Sequence, residues 1–288
     1  MKIIRVLVVL LYFPSISMAS SWIAEFNGPS AAYSIIRSGQ KSKPELFQLL
    51  ETGNTIEINM DRYYMIIAHA DGSSTRLTQR NSPWTANKRG DTPSTVDNFL
   101  NWALASLKEL KNSQYYPPVN MVTRQAASFD KPVKLIFPSE VSPLIMEGKR
   151  RFSIIYQGGK KSQKFKLSRG KKLIPVEFDY ANYPGFRVAT TRNPVDLVAG
   201  AYTLLIDSGN PMSIDITVLG SSAIPQLPVE MADEKVPVEL EKLGFTTWLA
   251  TVDNGKWASE AYYRLMQDDS HGTEYLKHIL RHRFAKSI

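Results

Sequence analysis

Between Gly53 and Leu77 the chain carries a pattern that a pleated sheet accommodates and a helix does not. Ile56 and Ile58 stand two apart, the run Tyr63 to Ala68 is built of β formers, and Asp71-Gly72 interrupts it before Arg76-Leu77-Thr78. A period of two sends alternate side chains to opposite faces of a strand. Asp-Gly supplies the positive φ and the local hydrogen bonding that a tight hairpin needs. The segment predicts a β-hairpin or meander, and the glycine-punctuated residues around it extend this to a small all-β unit over residues 20–90. Within it a short helical turn is expected near Pro44 to Leu50, where Glu45-Leu46-Phe47-Gln48-Leu49-Leu50 lacks strand alternation.

Gly28, Ile35, Arg37-Ser38-Gly39, Leu49, Gly53-Asn54-Thr55-Ile56, the strand Tyr63 to Ala68, Asp71-Gly72-Ser73, Leu77 and Asn81-Ser82 together resemble the periplasmic FecR-type domain over residues 28–86. Members of that family read as a glycine, a short strand, a Gly-Asp-x-Ile step, an apolar strand, Asp-Gly-Ser and a leucine. This chain departs from them with Asn54 in place of the usual Asp, and with Asp61-Arg62 where small residues are common. The resemblance implies a small all-β domain used in bacterial envelope sensing or scaffolding, with no catalytic residues to carry over. A FecR-type regulator of a sigma factor carries a cytoplasmic domain before a transmembrane segment. Here a leader stands in that place, so that role is not transferred.

The leader is residues 1–19. Lys2 and Arg5 precede an apolar run from Val6 to Phe13, then Pro14 and Ser17-Met18-Ala19, which is the grammar of a secretory signal peptide cut after Ala19. The apolar core falls short of the roughly 20 residues a membrane-spanning helix needs. With no cysteine after it there is no thiol to acylate. A periplasmic or secreted protein is expected, soluble once processed. The complete lack of cysteine removes disulfides, thiolate metal sites and a cysteine nucleophile from consideration.

Downstream, Thr92-Pro93 opens a helix with Thr92 or Ser94 as N-cap, in a connector spanning residues 91–130. Val96, Phe99, Leu100, Ala103, Leu104, Leu107 and Leu110 recur at helical spacing, with Trp102 and Ala105 widening the face, which is expected to pack on the β units. Residues 131–220 hold short candidate strands at 133–137, 152–156, 164–167, 172–178, 186–190, 201–206 and 213–219, separated by glycine turns. This spacing predicts an immunoglobulin-like β-sandwich, with Leu197 to Leu204 reading as its penultimate, tyrosine-bearing strand. Residues 221–237, with Pro225, Pro228 and Pro237, read as a linker or lightly packed crossing, and residues 238–288 as a C-terminal helical hairpin or bundle. The expected fold class is mainly β with α.

The most biased segment is Lys149, Arg150, Arg151, Lys160, Lys161, Lys164, Lys166, Arg169, Lys171 and Lys172, with no acidic residue among them. On adjacent hairpins such cations can converge to bind phosphate or carboxylate, and the first eight are the candidate anion-binding residues; the bland reading is a solvated edge that resists aggregation. A chain of formal charge +8 favours acidic partners in the envelope, while export argues against nucleic acid. Glu274, His278 and His282 share a helical face and offer oxygen and nitrogen ligands, although basic side chains near a helix C-terminus also suit the macrodipole. Ser168-Arg-Gly-Lys171 and Ser128-Phe-Asp-Lys131 match Ser-x-x-Lys outside the helical context it requires, and His69 and Asp71 sit too close in sequence to read as two members of a triad. No P-loop, Rossmann fingerprint or Gly-x-Ser-x-Gly is present, and no cofactor is implied. The expectation is a non-enzymatic envelope protein that binds or scaffolds a partner protein, with an anionic glycan or lipid as the alternative ligand and a metal-dependent enzyme third.

Overall fold

The computed structural model describes residues 21–70, 72–86, 95–112, 133–135, 143–159, 163–183, 186–207, 212–233 and 235–286. The expected leader, residues 1–19, and the expected N-cap residues Thr92 and Ser94 lie outside them. The amino-terminal unit runs β1 (Ser21–Phe26), β2 (Tyr33–Arg37), β3 (Gln40–Ser42), β4 (Leu49–Leu50), β5 (Thr55–Ile58), β6 (Tyr64–His69), β7 (Ser74–Thr78) and β8 (Trp84–Thr85). These pair into one sheet of order β4-β1-β6-β7 and a second of order β3-β2-β5-β8. Ile23, Phe26, Met65, Ile67 and Leu77 of the first sheet close on Tyr33, Ile35, Ile56 and Ile58 of the second. The opposite face of the first sheet is buried too, through Trp22, Ala24 and Ile66. That is why β1 and β6 read as nearly continuous apolar runs instead of clean alternation.

A register shift between Ile23 and Glu25 interrupts the β1–β6 ladder. Bulges of this kind re-aim side chains. Here it turns Phe26 into the unit's interior, while Glu25 comes to stand opposite Ile66. Before β4 the expected helical turn is a tight reversal with Phe47 at φ 64, which drives Leu46 and Phe47 into the core beneath the helices.

The helix α1 (Thr95–Asn112) buries Val96, Phe99, Leu100, Ala103, Leu107 and Leu110, as its periodicity predicts, while Ala105 faces solvent. Its main partner is a helix and not a β unit. α1 packs along α2 (Val238–Leu249), with further helices α3 (Val252–Gly255), α4 (Ala258–Gln267) and α5 (Thr273–Lys286) completing the bundle. Gly244 of α2 makes the close approach possible: a Cβ there would stand 2.6 Å from the Phe99 ring. Trp102 lies between Phe99 and Trp248, its ring centroid 5.2 and 5.9 Å from theirs. The C-terminal hairpin expected from sequence is therefore completed by a helix from far upstream.

The second β unit holds β9 (Lys134–Leu135), β10 (Leu144–Met146), β11 (Gly148–Arg150), β12 (Ser153–Gln157), β13 (Lys164–Arg169), β14 (Lys172–Ile174), β15 (Phe178–Tyr183), β16 (Phe186–Thr191), β17 (Val195–Leu197), β18 (Gly200–Asp207) and β19 (Met212–Leu219). One sheet has the order β15-β16-β12-β9, the facing sheet β10-β19-β18-β13-β14, and β11 pairs with β17 in a separate ribbon. Lettered along the chain, the first sheet takes the positions D-E-B-A and the second G-F-C. This is the immunoglobulin-type arrangement. The stretch 172–178 expected as one strand is two, β14 and the start of β15, parted at Pro175 and belonging to different sheets. Tyr202 secures the corner before β18: its hydroxyl donates to the carbonyl oxygen of Val198 at 3.0 Å and accepts from the Val198 N–H at 2.9 Å.

Ile154, Tyr156, Phe165, Leu167, Leu204 and Ile216 fill the sandwich, while Met146, Ile155, Phe186 and Val188 join the helical core from outside it. The layers thus run sheet, sheet, helices, sheet, sheet, and the helices hold both β units. Between the sandwich and α2, residues 221–233 and 235–237 cross against the helices. They form two 3-10 turns, Ser221–Ala223 and Val229–Met231, and set Ile224, Leu227, Met231 and Val236 against the helical core.

Candidate functional site

The basic segment is divided by the sandwich topology. β11 belongs to the ribbon with β17, β12 to one sheet and β13 to the other, so the cations do not sit on adjacent hairpins. Lys149 stands opposite Asp196 across the β11–β17 pair. Lys164 stands opposite Asp207, and Lys166 Nζ lies 3.6 Å from Asp207 Oδ2. On the same outer face Thr203 donates to Asp215 at 3.2 Å. Arg169 donates to the carbonyl oxygen of Ala199 at 3.0 Å and lies over the Tyr202 ring. Arg151 is exposed, and Lys160 and Lys161 lie outside the described residues. Acidic side chains from distant strands thus interleave with the lysines, and the described residues make no uniform positive face. Phe152, Tyr156 and Phe165 are buried, as alternation required.

Arg150 does something different. Its Nη1 donates to Glu260 Oε1 at 3.2 Å, Nε and Nη2 donate to the Glu147 carbonyl oxygen, and the guanidinium lies 4.7 Å above the Tyr263 ring. Glu260 has no exposed surface; it also accepts from Arg264 Nε at 3.0 Å and from the Met146 N–H at 3.1 Å. Two cations and a backbone N–H satisfy one buried carboxylate, which is the condition under which a charge is tolerated in a core. This cluster fastens α4 to the sandwich.

A second junction fastens α5 to the amino-terminal unit. The bulge brings Glu25 to His271, whose Nδ1 lies 3.0 Å from Glu25 Oε2, and the Tyr64 hydroxyl donates to Glu25 Oε1. Hydrogen bonding to the carboxylate and burial together raise the Tyr64 phenol above its ordinary range. Gly272, at φ 87, packs so closely that a Cβ would meet the Ala24 carbonyl oxygen at 2.7 Å. At the sandwich side of α5, Arg281 Nε donates to the Tyr262 hydroxyl at 2.7 Å and its guanidinium lies 5.0 Å from the Tyr183 ring centroid.

Glu274 accepts from Lys277 Nζ at 2.7 Å, a lysine only 6% exposed at its side chain; His278 is exposed, and the His282 side chain is outside the described residues. Among the described residues no group of three His, Asp or Glu side chains is placed to hold a metal ion. Ser168 lies in β13, its hydroxyl donating to the Thr203 carbonyl oxygen, and opens no helix; Ser128, Lys131 and Asp71 are outside the described residues. One arrangement was invisible in the sequence: Ser21 Oγ lies 2.7 Å from His69 Nδ1, and His69 Nε2 lies 3.0 Å from Thr75 Oγ1. Only the β1-β6-β7 register brings these three together.

No family model matches the chain and no curated protein matches it. Among solved structures it is similar in part to titin domain M7, at 9% identity and a TM-score of 0.24 over 33% of this chain and 98% of that one. Titin M4 is similar at 12% identity and a TM-score of 0.20, over 32% of this chain and 97% of that one. An I-band fragment of titin is similar at 9% identity and a TM-score of 0.23, over 70% of this chain and 66% of that one. The sandwich assignment rests on the strand order and register described above.

Proposed function

We propose that the protein is a non-enzymatic component of the bacterial envelope, exported by its leader, in which a FecR-like β unit and an immunoglobulin-type sandwich are held in fixed relation to present surfaces to a partner protein. The observation that carries this reading is the layering. One helical core buries an outer face of each β unit, and the polar junctions Arg150–Glu260 and Glu25–His271 tie that core to the two units. A frame of this kind suits recruitment or sensing, because a rigid body binds without the entropic cost of ordering its own domains. In-cell photocrosslinking of the full-length chain, followed by mass spectrometry, tests it. One dominant protein whose capture saturates is the expected outcome. Recovery of only lipid or glycan, or of a spectrum that does not saturate, overturns it.

A further inference from the structure

We propose that the chain pairs with a second copy of itself along the open edge of β15, joining two sandwich sheets into one. β15 is matched to β16 along its whole length, from Phe178 opposite Thr191 to Tyr183 opposite Phe186, and meets no other strand among the described residues. The Arg192 N–H donates to the Glu177 carbonyl oxygen at 2.7 Å, so Glu177 and Arg192 form a hydrogen-bonded pair. Pairs alternate along an antiparallel ladder. Phe178, Tyr180 and Asn182 therefore direct their N–H and C=O groups away from β16, toward the open edge.

Other open edges of this protein are shielded in the ways proteins commonly use. β14 is three residues long, follows Lys171, carries Lys172 and is succeeded by Pro175, which has no N–H to offer. β3 carries Lys41, β7 carries Arg76, and β4, β8 and β9 are two residues each. β15 has six residues, no proline, no cation and no irregularity in its register. Its one charge, Asp179, shares the Arg192 guanidinium with the adjoining Glu177, at 3.0 and 2.7 Å. The edge therefore carries no net positive charge, and two copies meet here away from the cationic excess of a chain of formal charge +8.

The edge is also complementary to itself. An antiparallel pair centred on Tyr180 sets Tyr180 opposite Tyr180 and Phe178 opposite Asn182 of the second copy, so every outward group finds a partner. Asp179 then faces Ala181 and not another Asp179. The Tyr180 side chain is committed inward, its hydroxyl donating to the Gln163 carbonyl oxygen at 2.6 Å, which fixes the strand at its centre. Asp179, Ala181 and Asn182 are exposed, so nothing among the described residues overhangs the strand there. A two-fold contact of this form closes on itself and yields a dimer, not a filament.

Sedimentation equilibrium of the leaderless chain, run as wild type and three variants, tests the proposal. Wild type is expected to dimerise. Ala181→Glu places like charges at both Asp179 contacts and is expected to weaken the dimer about tenfold, whereas Ala181→Lys places opposite charges there and is expected to preserve or tighten it. Asn182→Pro removes an outward N–H that β16 does not use and is expected to give a folded monomer, since an edge strand tolerates proline. Because the chain has no cysteine, a mixture of Asp179→Cys and Ala181→Cys chains should form an intermolecular disulfide faster than Ala181→Cys alone. A monomeric wild type, equal dissociation by the Glu and Lys variants, or no preference for the mixed disulfide overturns the proposal. A dimer indifferent to all of these changes, or a strand of another protein captured at Ala181 in place of a second copy, does so as well.

Discussion

The guanidinium of Arg150, at the end of β11, lies 3.2 Å from a carboxylate oxygen of Glu260, 110 residues away on α4 and wholly buried. Removing one partner of a buried pair leaves the other charge unpaired in the core, which costs about 3–5 kcal/mol. Glu260→Ala also strips Arg264 and the Met146 N–H of their acceptor. The expected result is a marked fall in the urea midpoint with the slope little changed. Arg150→Ala should fall less, because Arg264 still neutralises the carboxylate.

Gly244 and Phe99 set the distance between α1 and α2. Gly244→Ala would put a methyl 2.6 Å from the Phe99 ring and 3.4 Å from the Ala103 Cβ, and overpacking of that kind costs about 1–3 kcal/mol against the small gain in helix propensity. Thermal unfolding should shift downward. Phe99→Leu in the same chain should recover part of the loss, because the two sites share one contact and are not additive.

Much of the architecture was legible because it is local. The face of α1, the alternation in β13 and β18, and the glycine turns between strands all follow from neighbours in sequence. What failed depended on distant residues. The partner of α1 is a helix beyond the sandwich, and no periodicity in residues 95–112 distinguishes a helix from a sheet as the surface it meets. Lys172 to Phe178 read as one strand because Ile174 and Val176 continue the alternation, although Pro175 parts it into β14 and β15. The surroundings of the basic segment depend on distant residues in the same way. Asp196, Asp207 and Glu260 interleave with its cations only through the strand pairing and the α4 packing, so a run without acids in sequence is not a surface without acids. Ser21 and His69 were hidden for the same reason.

Tyr33 links one ionisation to folding. Its hydroxyl donates to the carbonyl oxygens of Asn27 and Tyr64, and burial pushes the phenol far above its ordinary range. The unfolded chain releases this proton near pH 10, whereas the folded chain keeps it. The folded state therefore binds more protons in that region, so the stabilisation is complete below about pH 10 and is lost as pH rises toward the folded-state value. Unfolding free energy should fall by up to about 1.4 kcal/mol per pH unit from this group alone. Tyr33→Phe should flatten that decline while lowering stability at neutral pH. Absorbance titration at alkaline pH should show a late-titrating tyrosine in wild type that this variant lacks.

The hydroxyl of Tyr202 isolates the corner of the sandwich for a last test. It serves one residue twice, accepting from the N–H of Val198 and donating to its carbonyl oxygen, in a turn that neither sheet otherwise closes. Tyr202→Phe keeps the ring among Leu197 and Leu204 but takes both bonds away. Each such bond contributes about 0.5–1.5 kcal/mol net, and a polar group left unsatisfied costs more. The expected loss is about 1–3 kcal/mol in urea. Hydrogen exchange should quicken first at Val198 and then along β18, where the corner anchors the strand, and little in the amino-terminal sheets. If exchange rises equally in both β units, the helical core transmits the loss and the whole chain unfolds as one cooperative body. If it rises only in the sandwich, that unit opens alone, and the junctions at Glu25 and Glu260 hold against it.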